Sequence, residues 1–427
     1  MGREAELVEL SVVRSSGGGI PRGAIAGALA AVIVVGGLVA LALANPKPGA
    51  ILTGAASEPP PTATPTAGPT PSVLPTQVAH EPWDWAPADV PLDSNASQIR
   101  KVWAFDAGFV ALADDFAVDG GPGSALLTSR DGATWAQVPL PPHARGISTG
   151  MLFNGDLWLV GSTGEPDAPV WRLWSTSDGV DWVDHGVAKG LIPVGGTISE
   201  LAATGAGFVA TIAKPPIDAE HPPLEEIRSS PDGRTWKRAD VPDIDENTHL
   251  AGLIADGDRW LLAADFGDAE GNYEVRVLSS ADGQQWDSMG VSGSGAAIGL
   301  ILVNGPSGYV LGGANPASDT YRPAVWRSAD AGRWTGTTLD IPPSREGAAV
   351  IGALSTAGGI VLMGNQGGDA WVAADGEDAW SYRNVLPPDT AAFFGAFAAR
   401  GDVIVCGGSS DSGVANLWVG SLSTMGL

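Results

Sequence analysis

The stretch SRDGATW, Ser129 to Trp135, separates the apolar run SALLT from the segment WAQVPLP. Ser and Asp side chains bond backbone N–H groups two residues on, and glycine accepts a positive φ, so these residues predict a tight turn between two strands. The turn returns as TSDGVDW (Thr176 to Trp182), SPDGRTW (Ser230 to Trp236) and SADGQQW (Ser280 to Trp286). SADAGRW (Ser328 to Trp334) and AADGEDAW (Ala373 to Trp380) are looser copies. The aspartates Asp131, Asp178, Asp232, Asp282, Asp330 and Asp375 stand 47, 54, 50, 48 and 45 residues apart.

Two further elements repeat with the turn. Ahead of it lies a glycine- or aspartate-led apolar strand: GFVALA (Gly108), DLWLVG (Asp156), GFVATI (Gly207), DRWLLA (Asp258), GYVLGG (Gly308), GIVLMG (Gly359) and DVIVCG (Asp402). Directly before the turn comes an apolar strand that often carries tryptophan, as at Trp174, Trp326 and Trp371; LWVGSLS at Trp418 is the same element with no turn after it. A period near 50 residues made of short strands predicts a β-propeller with one four-stranded blade per repeat. Each repeat reads inner strand, glycine-led strand, tryptophan strand, turn, outer strand. Outer strands such as WKRADVP end on proline, which cannot donate to a ladder.

Seven glycine-led strands set the count at seven blades, and the seventh stops one strand short. The missing strand is expected at the other end. WAPADVP, Trp85 to Pro91, matches WKRADVP, Trp236 to Pro242, at five of seven positions. It is expected to pair with the Trp418 strand and close the ring, which removes an exposed sheet edge.

Composition agrees. The chain has 427 residues with 59 glycines, 33 prolines and only 17% charged residues, a mixture suited to many short strands. A formal net charge of -25 excludes a nucleic-acid role, which needs a basic surface. The single cysteine, Cys406, excludes an intramolecular disulfide and a cysteine-based metal cluster. It reads as a small residue of a buried strand.

The first 82 residues read differently. Residues 24–44, AIAGALAAVIVVGGLVALALA, are uncharged and long enough to cross a bilayer, for which about 20 apolar residues suffice. Arg3, Arg14 and Arg22 precede them and only Lys47 closely follows, so residues 1–23 are expected in the cytoplasm and the rest outside. Cleavage as a signal peptide after Ala44 is the alternative; the length of the apolar run favours a retained single-pass anchor. Residues 45–82 form a Pro/Thr-rich linker, expected to be disordered and able to span up to ~100 Å as polyproline II. Residues 83–427 form the propeller, expected to be monomeric.

The repeated turn resembles the Asp-box (BNR) repeat, usually S-x-D-x-G-x-T-W. Four of the six copies here have one residue fewer, with Gly directly after Asp. The resemblance spans Trp85 to Leu427 and implies a propeller of the sialidase and sortilin-like kind, with Asp131, Trp135, Asp178, Trp182, Asp232, Trp236, Asp282, Trp286, Asp330, Trp334, Asp375 and Trp380 structural. A weaker kelch resemblance covers the fifth repeat. Sialidases hold a carboxylated sugar with three arginines and use a tyrosine nucleophile. Tyr321-Arg322-Pro323 only approaches their R-I-P motif and lies in the fifth repeat rather than the first.

In such a propeller the loops after the glycine-led strands share one face with the connections between blades, opposite the repeated turns. Those loops carry Asp114, Asp115, Asp119, Glu165, Asp167, Asp218, Glu220, Glu225, Glu226, Asp265, Asp268, Glu270 and Glu274, against little more than Lys214 and Arg322. Such a face is expected to attract cations or a cationic protein or glycan partner. Asp268, Glu270, Tyr321 and Arg322 are the ligand-face candidates, Asp268 and Glu270 as a carboxylate pair. No catalytic constellation emerges: the five histidines are scattered, with no HExxH. Asp243, Asp245 and Asn247 imitate a calcium loop without its Gly and Glu. Neither a metal nor a cofactor is expected. The reading is a membrane-anchored, extracytoplasmic binding or scaffolding propeller, with a glycan-active hydrolase of sialidase-like descent as the alternative.

Overall fold

The computed structural model describes residues 85–92, 96–115, 123–164, 168–193, 195–214, 224–267, 273–291, 298–317, 320–342, 347–364, 368–384, 393–409 and 414–425. These form seven antiparallel sheets of four strands each. Within a blade the order follows the chain: the first runs Ala96–Phe105, Gly108–Asp115, Gly123–Ser129, Ala136–Val138. Each inner strand touches those of both neighbouring blades, so the seven surround one axis. This is the all-β, seven-bladed propeller the repeat spacing predicts. The expected anchor and linker, residues 24–44 and 45–82, lie outside the described residues. Among the described ones no helix is long and apolar enough to cross a membrane.

The seventh blade closes as the match of WAPADVP to WKRADVP predicts. Ala86–Pro87 pairs with Ala415–Ser421, Pro87 opposite Trp418 and Ala86 opposite Val419. Trp85 is buried with Trp418, Ile404 and Cys406 in one cluster. Both chain ends of the domain thus share a core.

The turns share one hydrogen-bond scheme in five blades. In the first, Asp131 Oδ1 accepts the amides of Ala133 and Thr134, both at 2.9 Å, and Ser129 Oγ accepts that of Gly132 at 2.8 Å. Asp178, Asp232, Asp282 and Asp330 accept the corresponding pairs. The indole N–H of Trp135, Trp236, Trp286 and Trp334 returns to the carbonyl of the residue after the aspartate. These four tryptophans are buried; Trp182 is only half-buried.

The sixth copy departs from the scheme. Ala373 replaces the serine, the turn holds an extra residue, Asp375 donates its amide to Gly358, and Trp380 is half-buried. Asp375 and Trp380 thus belong to the looser copy that the sequence shows: without the hydroxyl at position 373, the tight turn loses one of its two side-chain acceptors.

The turn also fastens one blade to the next. The segment after each of three outer strands pairs in parallel with the turn of the following blade: Asp89 with Thr134, Lys189 with Thr235 and Asp240 with Gln285. This explains why Ala-Asp-Val-Pro recurs in both matched segments. In four of the turns the residue next to the aspartate is pressed into the preceding blade. A Cβ on Gly132, whose φ is 78°, would meet Val405 at 2.7 Å.

Candidate functional site at the axis

Every inner strand carries a β-bulge at the same place, with Arg100, Ser148, Ser199, Gly252, Leu300, Ile351 and Gly395 as the unpaired residues. A bulge bends its strand and re-aims the adjoining side chains. Lys101 and Glu200 are the residues just after the bulge in blades one and three. Although those blades are not adjacent, each charge acts on the other, which puts both side chains at the axis.

Three more ionisable groups join them. His249 opens the inner strand of the fourth blade (Thr248–Asp256) and lies opposite Asp265 of the glycine-led strand (Arg259–Gly267), with Nδ1 and Oδ2 3.6 Å apart. Glu225 begins the tryptophan strand of the third blade (Glu225–Ser230). Asp265 is 1% exposed and Glu225 7%. Lys101, Glu200 and His249 keep part of their surface open along the axis while protein surrounds them. His249, Glu225 and Asp265 all sit at the strand ends that face the loops rather than the repeated turns.

The carboxylates also bind backbone of the next blade. Glu225 Oε2 accepts the Leu250 amide, Glu200 Oε2 the Leu253 amide, and Asp265 Oδ1 the Gly299 amide at 2.8 Å. Asp265 Oδ2 is buried and makes no hydrogen bond.

Burial dominates the electrostatics. It pushes the Glu225 carboxyl up to about 7, against the pull of the His249 charge and the Leu250 amide. It raises Glu200 and Asp265 as well, and lowers Lys101 despite Glu200. Burial also opposes a charge on His249, but Asp265, Glu225 and Glu200 outweigh it and His249 stands above the usual imidazole value. A gathering of ionisable groups perturbed in this way marks a candidate site for binding or proton transfer.

The candidates that the sequence offers are expected on the loops. Asp268 and Glu270 lie outside the described residues, as do Asp119, Glu165, Asp167, Asp218 and Glu220. Tyr321 is half-buried in the tryptophan strand of the fifth blade, its hydroxyl pKa raised by burial and then by neighbouring Tyr273; Arg322 beside it is exposed. The face is also less acidic than a loop count suggests. Arg100 pairs with Asp114 at 2.6 Å, Arg228 with Glu226 at 2.6 Å alongside Lys214, and Arg276 with Glu274 at 2.9 Å. The balancing bases come from the strands. One of the scattered histidines, His249, joins the axial cluster. Asp245 of the calcium-loop imitation is used locally, accepting the Asn247 amide at 2.8 Å. A signal for the axial groups was present: Lys101, Glu200 and His249 are ionisable residues in strands whose other positions are mostly apolar.

No protein family and no curated protein matches the chain. Among solved structures, YCF48 bound to D1 peptide is similar over 81% of this chain and 96% of its own, at 16% identity and a TM-score of 0.49. An α-L-arabinanase of Penicillium chrysogenum complexed with arabinobiose covers 80% and 98%, at 14% identity and 0.41. A Hadza microbial sialidase covers 70% and 74%, at 12% identity and 0.38. These likenesses concern overall shape; the propeller itself is defined by its seven sheets.

Proposed function

We propose that this protein is an extracytoplasmic binding propeller of the Asp-box type, held at the membrane by residues 24–44 and projected from it by residues 45–82. Its partner, a protein or glycan offering ammonium or hydroxyl groups, is taken at the loop-face end of the axis. The observation that carries this reading is the convergence there of Lys101, Glu200, Glu225, His249 and Asp265, with Asp265 Oδ2 lacking a hydrogen bond. Carboxylates accept from ammonium or hydroxyl groups, and Lys101 donates. The outer loops, with the ligand-face candidates Asp268, Glu270, Tyr321 and Arg322, would form the rim.

The test is capture on a glycan array and from a library of basic peptides, using the full chain in mild detergent. Binding that falls on Asp265→Asn and Glu200→Gln, with folding retained, is the expected result. Binding that ignores both substitutions would move the site elsewhere.

A second reading, a glycan hydrolase, is favoured by one observation. Glu225, with its pKa near 7, is poised as a general acid close to Asp265. Turnover of fluorogenic glycosides that Glu225→Gln abolishes would establish it. Turnover of a sialoside is not expected, because the one arginine beside the axial cluster among the described residues, Arg100, is already taken up by Asp114 and the Ile147 carbonyl.

A further inference from the structure

The fifth and sixth blades meet differently from their neighbours on the face that carries the repeated turns. In the first, second, fourth and fifth blades the residue after the turn aspartate seals the wedge against the preceding blade, while Gly233 of the third is buried against Phe208 of its own blade. A Cβ on Gly179 would meet Val110 of the first blade at 2.9 Å, and one on Gly283 would meet Val209 of the third at 2.9 Å. Ala331, at a φ of 64°, is fully buried with Leu261 and Val277 of the fourth blade. In the sixth turn Gly376 is exposed, and its nearest neighbour is Ser307 Oγ, 3.6 Å from where a Cβ would stand. The seal is missing, and a cavity of about 320 Å³ remains.

Its lining mixes apolar and polar groups and carries both signs of charge. Arg327 and Arg333 come from the fifth blade, Asp375 and Asp378 from the sixth, and Tyr309 contributes a wall. The Tyr309 hydroxyl is already engaged by Asp256 at 2.7 Å and Arg259 at 3.1 Å. Arg327 lies over the Trp380 ring, its guanidinium carbon 4.7 Å from the centroid. Its Nε is buried without a hydrogen bond, and its ion pair with the exposed Asp378 is long at 3.8 Å. This cation has given up water without gaining the fork-to-carboxylate contacts that guanidinium favours.

We propose that the cavity between the fifth and sixth blades binds a small zwitterion of the free amino-acid class, its carboxylate on the Arg327 and Arg333 side and its ammonium against Asp375 and Asp378. A phosphate dianion would meet two aspartates at the opposite wall, and an apolar ligand would strand four charged side chains. The volume suits a molecule of this size, at the small end of ligand pockets. The site faces away from the axial cluster and stands or falls separately from it.

The test is isothermal titration, with thermal unfolding in parallel, of the full chain in mild detergent. The probes are individual L-amino acids, their N-acetyl derivatives, their methyl esters and inorganic phosphate. Free amino acids of at least one side-chain type should bind and raise the unfolding midpoint, while both capped forms lose the effect. Arg327→Gln should weaken binding by about tenfold or more, as expected for a lost charge-assisted hydrogen bond. Asp378→Asn, at a fully exposed position that puts folding at no risk, should narrow the preference for free over N-acetylated ligand. Absence of binding by every free amino acid at tens of millimolar overturns the proposal. So does equal binding of N-acetyl derivatives or phosphate, or binding unchanged in Asp378→Asn and Arg327→Gln together.

Discussion

The carbonyl of Asp89 accepts the Trp135 amide at 3.0 Å, while the Asp89 amide donates to Ala133 at 2.8 Å. Asp89 follows the strand that completes the last blade, and Trp135 ends the turn of the first. One short segment therefore pairs with the seventh blade on one side and clasps the first on the other. Ring closure rests on fewer than ten residues.

Removing that segment should damage the whole domain. A chain beginning at Glu81 keeps it; one beginning at Asp93 loses the strand Ala86–Pro87, the Asp89 clasp and buried Trp85. Loss of a core tryptophan side chain alone costs about 3–5 kcal/mol. Typical domain stability is only about 5–15 kcal/mol. The longer chain should unfold cooperatively and remain monomeric by light scattering, and the shorter should melt lower or aggregate. Matching midpoints and monomer fractions would refute closure by this segment.

Turn docking can be separated from backbone strain with a matched pair. Gly132 and Gly376 have φ values of 78° and 73°, so alanine at either is strained to a similar degree. At Gly132 the new methyl would also press on a neighbouring blade, 2.7 Å from Val405, whereas at Gly376 it would stand an ordinary 3.6 Å from Ser307. Gly132→Ala should cost about 1–3 kcal/mol more than Gly376→Ala in denaturant unfolding, the usual range for overpacking. Equal losses would mean that the turn does not bear on the preceding blade.

The axial cluster should make the protein less stable as pH rises through neutrality. Glu225 is pushed up to about 7, and Glu200, Asp265 and His249 are also raised. A raised folded-state value means that the folded chain holds protons the unfolded chain has released. For Glu225 the stability is full below about pH 4 and is lost as pH climbs to about 7. Glu225→Gln should remove that part of the slope and gain about 3 kcal/mol near pH 8, from the size of the shift. The lowered value of Lys101 works in the opposite sense. Unfolding midpoints of both proteins from pH 4 to 8 provide the measurement; parallel curves would show that Glu225 ionises normally.

The turn aspartates act at the acid end with the reverse sign. Backbone amides at Thr134 and Ala133 hold Asp131 below the usual carboxylate range, and the same pairs of amides do so for Asp178, Asp232, Asp282 and Asp330. Their contribution is present above about pH 4, the unfolded value, and is lost as pH falls through the lower folded values. Stability should therefore peak on the mildly acidic side of neutrality. Asp131→Ala should lower the midpoint at pH 5.5 and reduce the further fall toward pH 3. An unchanged acid limb would argue that these solvated carboxylates contribute nothing.

What the sequence by itself determined is the part governed by local chemistry. The Ser-x-Asp-Gly turns, the glycine-led strands and the repeated Ala-Asp-Val-Pro each act over a few residues, so their spacing yields seven blades and their mismatch at the ends yields the closing strand. Even the sixth turn announced its difference through Ala373 and one extra residue. Tertiary structure decided the rest. Lys101 and Glu200 act on each other's charge across an axis that exists only once the ring closes, and no spacing rule connects blade one to blade three. Glu225, Asp265 and His249 acquire their unusual proton affinities from burial, which is a property of the assembled blades. The charge balance of the loop face depended on strand arginines whose direction the loops could not reveal. The cavity beside Arg327 arises because a turn fails to reach its neighbour, and reach is a matter of how two blades sit together.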